Sequence, residues 1–322
     1  MENEKKKRYY IFTPAGLVSG GPELAHQMCS ELCRKGHLAW MYYIQGGGKE
    51  PVDVPADDRY GKYGTDHAVS IQEVESEDAV IIVPEATALW SLVYGKCTKV
   101  IWWMSVDNYI THTKEAGWDF FEELKEIIAL HLVQSKYAYE YLLERGVPEQ
   151  KILWVSDYIS ENYGKFYMPA EFRQNIALYN PKKGLEELKP LIGQADWLKW
   201  IPLAGLTEEQ MAAIMGVAKV YVDFGAHPGK DRIPREAASG GCCVVTNKKG
   251  SAAFQEDIPI PETYKFEEPL PYDQVEELLK DICCNWEGHS RQFDGYREVI
   301  SSEKRKFSED VEAFVHLIEQ IV

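Results

Sequence analysis

Short apolar runs alternate with longer amphipathic segments in the first half of the chain. The apolar runs are residues 8–12, 39–44, 79–83, 100–104 and 131–135. The clearest amphipathic segments are residues 23–36 and 120–129, in which apolar positions recur with helical period. Strands that are separated by helices in this way form parallel βαβ units with both faces of the sheet covered. A Rossmann-like domain over residues 1–160 is therefore predicted.

A second series with the same alternation follows. Its predicted strands are residues 175–180, 200–203, 219–224 and 242–246, and its predicted helices are residues 185–193, 207–217 and 273–285. These elements predict a second Rossmann-like domain over residues 175–300, joined to the first by a polar and aromatic linker at residues 161–174. The chain then ends in an amphipathic pattern, assigned as a terminal helix over residues 301–322.

Two such domains place the carboxyl ends of both sheets at a shared cleft, where ligands bind in open α/β folds. The predicted fold class is accordingly α/β, with two Rossmann-like domains facing a central cleft and a C-terminal helix packing across them. The length of 322 residues agrees with two domains, because single cores usually stop growing at roughly 250 residues.

Composition narrows the classes of function. Hydrophobic residues make up 45% of the chain, yet no apolar run approaches the roughly 20 residues that span a bilayer. No small-residue cleavage site follows the basic N-terminus, so a cytoplasmic protein without an integral membrane segment is expected. Its 7 cysteines fit buried positions in a reducing compartment better than a disulfide framework. A net charge of -16 disfavours nucleic acid as a partner, so any anion site must be a local basic cluster.

The first candidate for chemistry follows the first predicted strand. Gly20 and Gly21 let the backbone approach a ligand, and the next helix offers free amides and a positive dipole end to an anion. Their spacing is not the dinucleotide fingerprint, so a nicotinamide cofactor is not indicated. A tight turn without a ligand is the alternative. On the same helix His26, Cys29 and Cys33 share one face, which is predicted to be its buried side rather than a metal site.

A second candidate follows residues 100–104. Ser105, Asp107 and Asn108 come where a parallel strand would open into the cleft, and Asp107 is placed to accept a proton or a sugar hydroxyl. Three neighbouring aromatic residues would then stack on a sugar ring, namely Trp102, Trp103 and Tyr109. The alternative is that Ser105 and Asp107 cap the next helix and that the tryptophans belong to the core. The sequence leaves both interpretations open.

Lysines follow the first strand of the second domain. Lys182, Lys183 and Gly184 precede a predicted helix, where positive charge opposes the helix dipole unless an anion compensates it. This placement favours a phosphate-binding role over a pair of solvated surface lysines.

A further basic loop lies between residues 225 and 246. Lys230, Arg232 and Arg235 surround the start of a short predicted helix, which suggests a dianionic ligand. Glu236 is the acid inside this helix, and it is either a first-turn glutamate favoured by the dipole or an acceptor for a ribose diol. Lysines 248–249 follow the next strand, so three neighbouring strand ends carry basic residues.

Three segments resemble a known family. GGPELAHQMCSELCRKGH is similar to the GG-x-E…L…L…GH signature of many family 4-like glycosyltransferases of the two-Rossmann GT-B fold. REAASGGCCVVT resembles their EA-x-A-x-G-x-x-VV motif, and LVQSKYAYEYLLERGVPEQKILWVSDYI resembles the segment that leads into their interdomain linker. Together these segments are distributed from residue 20 to residue 246 in the expected order.

The resemblance implies roles for particular residues. Glu236 would bind the ribose hydroxyls of a donor nucleotide, and Lys183 would contact the donor diphosphate. Gly20 and Gly21 would approach the diphosphate and the transferred sugar from the opposite wall of the cleft. No cofactor is implied beyond the nucleotide diphosphate sugar that serves as co-substrate.

The sequence departs from the family pattern at two places. Pro228 stands where a second glutamate precedes Glu236 in the family, and Leu178 stands where an arginine is usual. The missing charges are expected to come from Lys230 or Arg232. The chain contains no D-x-D motif, which disfavours the metal-bridged mechanism of single-Rossmann glycosyltransferases.

The predicted function is transfer of a sugar from a nucleotide diphosphate sugar to a glycan or lipid-linked acceptor, without a metal, in surface polysaccharide or glycoconjugate assembly. Asp107 is the candidate base if the reaction inverts, whereas a retaining reaction would need none. Ser105 and Asn108 are candidate acceptor-binding residues. A lipid-linked acceptor would bring the protein transiently to the inner membrane surface. The alternatives are a sugar-nucleotide epimerase or phosphorylase of the same fold, and a non-catalytic nucleotide-sugar-binding subunit.

Overall fold

Two parallel β-sheets organise the chain, one in each of two units. The computed structural model describes residues 6–46 and 49–321. Unit 1 comprises Met1–Asp157 together with Arg305–Val322, and unit 2 comprises Tyr158–Lys304. None of the described helices has both the length and the apolar character that crossing a bilayer requires.

The sheet of unit 1 has six strands in the order β2-β1-β3-β4-β5-β6, all parallel. The strands are β1 (Arg8–Pro14), β2 (Leu38–Ile44), β3 (Ala79–Pro84), β4 (Thr98–Trp103), β5 (Leu130–Val133) and β6 (Ile152–Trp154). Five of them were predicted from their apolar runs, and their inner positions are buried as expected for strands covered on both faces.

Four helices belong to the first part of unit 1. They are α1 (Gly20–Arg34), α2 (Val106–Ala116), α3 (Phe121–Ile127) and α4 (Lys136–Glu144). The sheet order places the carboxyl ends of β1, β3, β4 and β5 side by side, since these strands are neighbours and parallel. The segments that follow these strands therefore form one edge of unit 1, the carboxyl edge, where ligands bind in sheets of this kind.

Unit 2 contains a five-stranded sheet in the order β11-β10-β9-β7-β8, also parallel. Its strands are β7 (Gln174–Tyr179), β8 (Lys199–Pro202), β9 (Ala218–Asp223), β10 (Cys243–Asn247) and β11 (Lys265–Phe266). Its helices are α5 (Asn162–Lys165), α6 (Leu185–Gln194), α7 (Glu208–Val217), α8 (Arg232–Ser239), α9 (Tyr272–Cys284), α10 (Trp286–Arg291) and the start of α11 (Asp294–Ile321). The central strands β7 and β9 bring the two basic loops of the sequence to neighbouring positions.

The segment predicted as a linker packs into unit 2. It contains α5, whose Tyr163 is buried in the core of this unit. Arg173 is also buried, and its guanidinium donates to the carbonyl oxygens of Met215, Ala218 and Gly240 at 2.7 to 3.0 Å. These bonds tie the segment to the start of β9 and the end of α8, so it contributes to the core rather than only joining two domains.

The terminal helix α11 begins at Asp294, before the predicted residue 301. Its residues up to Lys304 group with unit 2, and those from Arg305 group with unit 1. In unit 1 the ring of Phe314 packs edge-on against Tyr9 of β1, with 6.0 Å between the ring centroids. The last turns of the chain therefore complete the core beside the first strand.

Candidate functional site

The loops after β7 and β9 touch through two glycines. Gly184 has a φ of +61° and precedes the first turn of α6, and a Cβ atom at this position would lie 2.3 Å from the Gly225 nitrogen. A Cβ atom on Gly225 would in turn lie 2.7 Å from the Lys183 Cβ. Only glycine allows both the left-handed conformation and this approach. The predicted phosphate-binding Lys183 is thereby placed against the loop after β9.

A chain of alternating charges extends from Lys183 into unit 2. The Lys183 ammonium donates to Asp231 Oδ1 at 2.8 Å, and Asp231 Oδ2 lies 3.0 Å from Nδ1 of His227. The other ring nitrogen of His227 lies 3.9 Å from Asp223 Oδ1. His227 is fully buried, Asp223 is nearly so, and the Lys183 side chain retains 32% of its exposure. The chain therefore runs from a buried carboxylate to a lysine that solvent or a ligand reaches.

The environment of His227 favours a charged imidazole. Burial lowers the pKa of His227, but Asp231 and Asp223 outweigh it and raise the pKa above its ordinary value. Burial raises the pKa of Asp231, whereas His227 and Lys183 lower it below its ordinary value. The neighbouring charges thus favour the charged forms of both His227 and Asp231.

The same three side chains bring ligand-type atoms within 4.8 Å of one another. A metal site needs one imidazole nitrogen and the carboxylates to converge on a single point. Here the two nitrogens of His227 face different carboxylates. Asp223 also accepts hydrogen bonds from the Tyr221 hydroxyl and the Gly225 amide. The arrangement fits an ion-paired imidazolium better than a bound cation.

The loop that carries His227 is anchored by the segment after β10. The side-chain amide of Asn247 donates to the carbonyl oxygens of Phe224 and Gly225 at 2.8 and 2.9 Å. Ser251 donates its hydroxyl hydrogen to the Gly229 carbonyl at 2.6 Å and its amide to the His227 carbonyl at 2.8 Å. These bonds fix the loop backbone, so the charged side chains start from defined positions.

Two of the predicted donor-binding cations share one acid. The Lys230 ammonium lies 2.8 Å from Glu303 Oε1, and the Arg235 guanidinium donates to Glu303 Oε2 at 2.8 Å. Arg235 is fully buried and also donates to the carbonyl oxygens of Asp231 and Lys230. Arg235 therefore stabilises the turn into α8 from inside, and Glu303 of α11 balances both cations.

Glu236, the predicted ribose acceptor, is buried in the first turns of α8. Its Oε1 atom lies 3.6 Å from Nε of Arg232. Burial raises the pKa of the Tyr163 phenol of α5, and the nearby Glu236 raises it further. Glu236 and Arg232 thus lie one helical turn apart as a pair at the start of α8.

The remaining lysines of the basic loops differ in their surroundings. The Lys182 side chain is exposed, and no carboxylate lies within ion-pair distance of it in the part of the chain that the structure describes. Lys248 lies 2.9 Å from Glu262 and 3.2 Å from Glu267, and Lys249 lies 2.5 Å from Glu268. The third basic loop is therefore neutralised by glutamates, whereas at the end of β7 Lys182 is exposed and Lys183, paired with Asp231, remains partly exposed.

In unit 1, Gly20 and Gly21 are the first residues of α1, which begins before the predicted residue 23. A Cβ atom on Gly21 would lie 3.7 Å from Met104 Sδ, so the helix start packs close to the end of β4. His26 and Cys29 on the same helix are buried, as predicted. Cys33 at the end of the helix is exposed, which corrects the prediction that all three share a buried face.

Of the residues that follow β4, Ser105 caps the next helix, and Asp107 remains the candidate for chemistry. The Ser105 hydroxyl accepts a hydrogen bond from the Asn108 amide and is the N-cap of α2. Asp107 is half-buried in the first turn of α2 and accepts a 2.8 Å hydrogen bond from the Tyr137 hydroxyl. The Asn108 side chain is exposed. These three residues lie at the carboxyl edge of unit 1.

Of the two interpretations of the aromatic residues near β4, the structure contradicts stacking on a sugar and places the tryptophans in the core. Trp102 and Trp103 are fully buried, and their indole nitrogens donate to the Val155 carbonyl and to Nδ1 of His131. Tyr109 is also buried and donates its hydroxyl hydrogen to Asp119. The two tryptophans are buried because helices cover both faces of a central parallel strand. Tyr109 of α2 packs against Trp103, with 5.1 Å between the ring centroids.

Glu85 is an acid at this edge that the sequence did not single out. It directly follows β3, is 3% exposed, and accepts a 2.8 Å hydrogen bond from the Met104 amide at the end of β4. Burial raises the pKa of Glu85 to about 7, although backbone amides oppose the shift. A carboxyl group with this pKa is available in both protonation states near neutral pH.

With its two parallel sheets of six and five strands, the chain has the GT-B fold, which it shares with solved glycosyltransferases. No protein-family model and no curated protein matches the sequence. The structural likeness therefore shows the fold alone, as the sequence identities in every comparison are low.

Three solved structures illustrate this likeness. Anabaena HepE, in complex with UDP and glucose, has a TM-score of 0.67 and 10% identity over 96% of this chain and 99% of its own. A glycosyltransferase from Rickettsia africae ESF-5 has a TM-score of 0.65 and 12% identity over 98% and 99% of the two chains. WaaG, a glycosyltransferase involved in lipopolysaccharide biosynthesis, has a TM-score of 0.59 and 12% identity over 94% and 99%.

Proposed function

We propose that this protein is a glycosyltransferase that moves a sugar from a nucleotide diphosphate sugar to an acceptor. One observation carries the proposal: exposed Lys182 and partly exposed Lys183, the latter paired with Asp231, lie at the start of α6, where a central strand of unit 2 ends. The fold supports it, since HepE has the same architecture and was solved with UDP and glucose.

The hard step of such a transfer is departure of the nucleoside diphosphate while the glycosidic carbon gains cationic character. Cations and amide dipoles that are already in place stabilise the leaving charge without reorganising. Lys182, Lys183 and Arg232 would supply positive charge, and the free amides at the starts of α6 and α8 would supply dipoles. We propose on this basis that no metal is needed. Glu236 would bind the ribose hydroxyls.

Unit 1 would bind the acceptor. Gly20 and Gly21 at the start of α1 would lie close to the diphosphate and the sugar. Asp107 would take the proton of the attacking hydroxyl in an inverting reaction, with Ser105 and Asn108 beside it. The hydrogen bond from Tyr137 holds the Asp107 carboxylate in one orientation, which suits a general base.

We also propose a role in surface polysaccharide or glycoconjugate assembly. The likeness to WaaG supports this role, because WaaG is involved in lipopolysaccharide biosynthesis. A glycan or lipid-linked acceptor would bring the protein from the cytoplasm transiently to the inner membrane surface.

Nucleotide binding tests the donor site. When a panel of nucleoside diphosphates is tested, the one whose base the site recognises should raise the thermal midpoint of unfolding of the protein. Calorimetry with that nucleotide should show weaker binding by roughly 10- to 100-fold for both Lys183→Met and Glu236→Ala, as expected for lost charge-assisted bonds. Lys189→Met is the matched control, because Lys189 is an exposed lysine of α6 whose partner is Glu186. Unchanged binding by both site variants would refute the donor-site assignment.

Product analysis separates the proposed activity from its rivals. Incubation with nucleotide sugar alone should give only slow hydrolysis, and addition of acceptor should give a glycosylated product. An epimerised nucleotide sugar in the absence of acceptor would instead indicate an epimerase of the same fold. Binding of donor without hydrolysis or transfer to any acceptor would indicate a non-catalytic subunit.

A further inference from the structure

We propose that Asp231, oriented by His227, is the positioning residue of Lys183. The inference rests on the proposed function, in which Lys183 binds the donor diphosphate. It concerns the HPGKDR segment, where this sequence departs from the family pattern it otherwise resembles.

The geometry links the three residues in one line. Asp231 immediately precedes α8, and its two carboxylate oxygens point to different partners: Oδ1 accepts from Lys183 at 2.8 Å, and Oδ2 lies 3.0 Å from His227. A lysine has four side-chain torsions, so an isolated Lys183 would sample many positions. The carboxylate selects one of them and holds the ammonium beside the start of α6.

His227 prevents Asp231 from neutralising the lysine completely. A lone buried carboxylate would concentrate its charge on Lys183 and weaken the attraction of the ammonium for a phosphate. The imidazolium takes part of that charge, and it is itself balanced by Asp223 on its other side. The charged groups that face His227 are Asp223 of β9, Asp231 of its own loop and Lys183 after β7. The segment after β10 contributes backbone and Ser251 to this loop.

The rigidity of the surroundings makes the orientation specific. The His227 carbonyl accepts the Ser251 amide at 2.8 Å, and a Cβ atom on Gly250 would lie 2.1 Å from the same oxygen. The Gly184 and Gly225 backbones are in contact beneath Lys183. Lys183, Asp231 and His227 therefore cannot separate without moving two packed loops.

A double-mutant cycle tests the proposal. Binding of the stabilising nucleoside diphosphate is measured by calorimetry for the wild type, Lys183→Met, Asp231→Ala and the double variant. In the background that retains Lys183, we expect Asp231→Ala to weaken binding about tenfold, which corresponds to the loss of one charge-assisted hydrogen bond. In the Lys183→Met background, we expect the same substitution to weaken binding less than about twofold. Asp281→Ala is the matched control, because it removes a different aspartate–histidine pair of unit 2, 3.1 Å from His289, and should leave binding unchanged.

A pH profile adds a readout that a purely structural role would not change. When His227 loses its proton, the negative charge of Asp231 is balanced by Lys183 alone, and the ammonium attracts a phosphate less strongly. The affinity of the wild type for the nucleotide should therefore fall as the pH rises through the raised pKa of His227. The affinity of Asp231→Ala, measured at the same pH values, is the reference for this fall. If Asp231→Ala does not fold, as judged by circular dichroism, Asp231→Asn takes its place in the cycle, since it keeps the shape and removes the charge.

The outcomes distinguish failure of the donor-site proposal from failure of the positioning role of Asp231. Absent wild-type binding, or binding unchanged by Lys183→Met, overturns the donor-site proposal and this inference with it. Binding that Lys183→Met weakens, and that Asp231→Ala weakens equally in both backgrounds, overturns the inference alone. A loss confined to the background that retains Lys183 supports it.

Discussion

Gly184 and Gly225 pack backbone against backbone where β7 and β9 end. A Cβ atom on Gly184 would lie 2.3 Å from the Gly225 nitrogen, and the residue has a φ of +61°. Both constraints act at a single position, and together they set where the Lys183 side chain begins.

Gly184→Ala should therefore destabilise unit 2 and weaken donor binding. Gly205→Ala is the matched control, because Gly205 has a φ of +68° but nothing within 4 Å of its Cβ position. The control incurs only backbone strain of roughly 1–2 kcal/mol, whereas Gly184→Ala adds a backbone clash. We expect the thermal midpoint of Gly184→Ala to fall at least about twice as far, measured by differential scanning calorimetry. Equal falls would contradict the close approach.

Glu303→Gln should destabilise unit 2 strongly. The substitution leaves Lys230 and fully buried Arg235 without their shared carboxylate, and removal of one partner of a buried ion pair typically costs about 3–5 kcal/mol. Urea unfolding followed by circular dichroism measures the loss. Glu287→Gln removes an exposed pair with Arg291 and should have no measurable effect. A Glu303→Gln protein as stable as the wild type would mean that Arg235 finds another partner.

Glu85→Gln should change the pH dependence of stability in unit 1. Burial raises the pKa of Glu85 from 4.5 to about 7. Between these values the unfolded chain releases a proton that the folded chain keeps, so stability falls as the pH rises from about 4.5 to 7, by roughly 3 kcal/mol in total. Glutamine has no proton to release, so the variant should lack this fall in stability when urea unfolding is measured at pH values between about 4.5 and 7.

Glu123→Gln serves as the control for Glu85→Gln, since it alters an exposed glutamate of the same unit. The free energy of unfolding of this variant should change with pH as steeply as that of the wild type. Identical slopes for wild type and Glu85→Gln would show that the Glu85 carboxyl is ionised in the folded protein throughout this range.

Asp107→Asn should abolish most sugar transfer while leaving donor affinity unchanged. General-base catalysis contributes roughly 10²- to 10⁴-fold, and asparagine accepts no proton. Initial rates and the anomeric configuration of the product, by NMR, are measured together, with inversion expected. Glu115→Gln at the other end of α2 is the control and should keep full activity. A retained configuration with undiminished transfer by Asp107→Asn would rule out this role.

The strands of both sheets were predictable where the chain is buried on both faces. β1, β3 and β9 have continuous apolar runs because helices cover the sheet on either side. β6 and β11 have 3 and 2 residues, and such short edge strands produce no period that a sequence pattern reveals. The linker prediction failed for Arg173 because a charged residue in a polar segment gives no sign that four backbone carbonyls surround it.

The sequence predicted where the basic residues of the candidate site lie, but not which acidic residues form ion pairs with them. Basic residues at the ends of β7 and β9 mark the carboxyl edge, and the structure brings those loops together. Which acid meets which base depends on contacts across long stretches of chain: Asp231 reaches Lys183, and Glu303 reaches Arg235. Local patterns do not encode these partners, so Arg235 was predicted to face a ligand although it is buried.

The division of α11 has a consequence for how the chain folds as it is synthesised. Unit 2 is continuous in sequence, so all of its strands and helices are available once residue 304 has been made. Unit 1 begins first but lacks Phe314, which packs on Tyr9, until after the whole of unit 2 has been translated. The core of unit 1 is therefore closed only after unit 2 has been made, and until then β1 has one contact surface still unfilled.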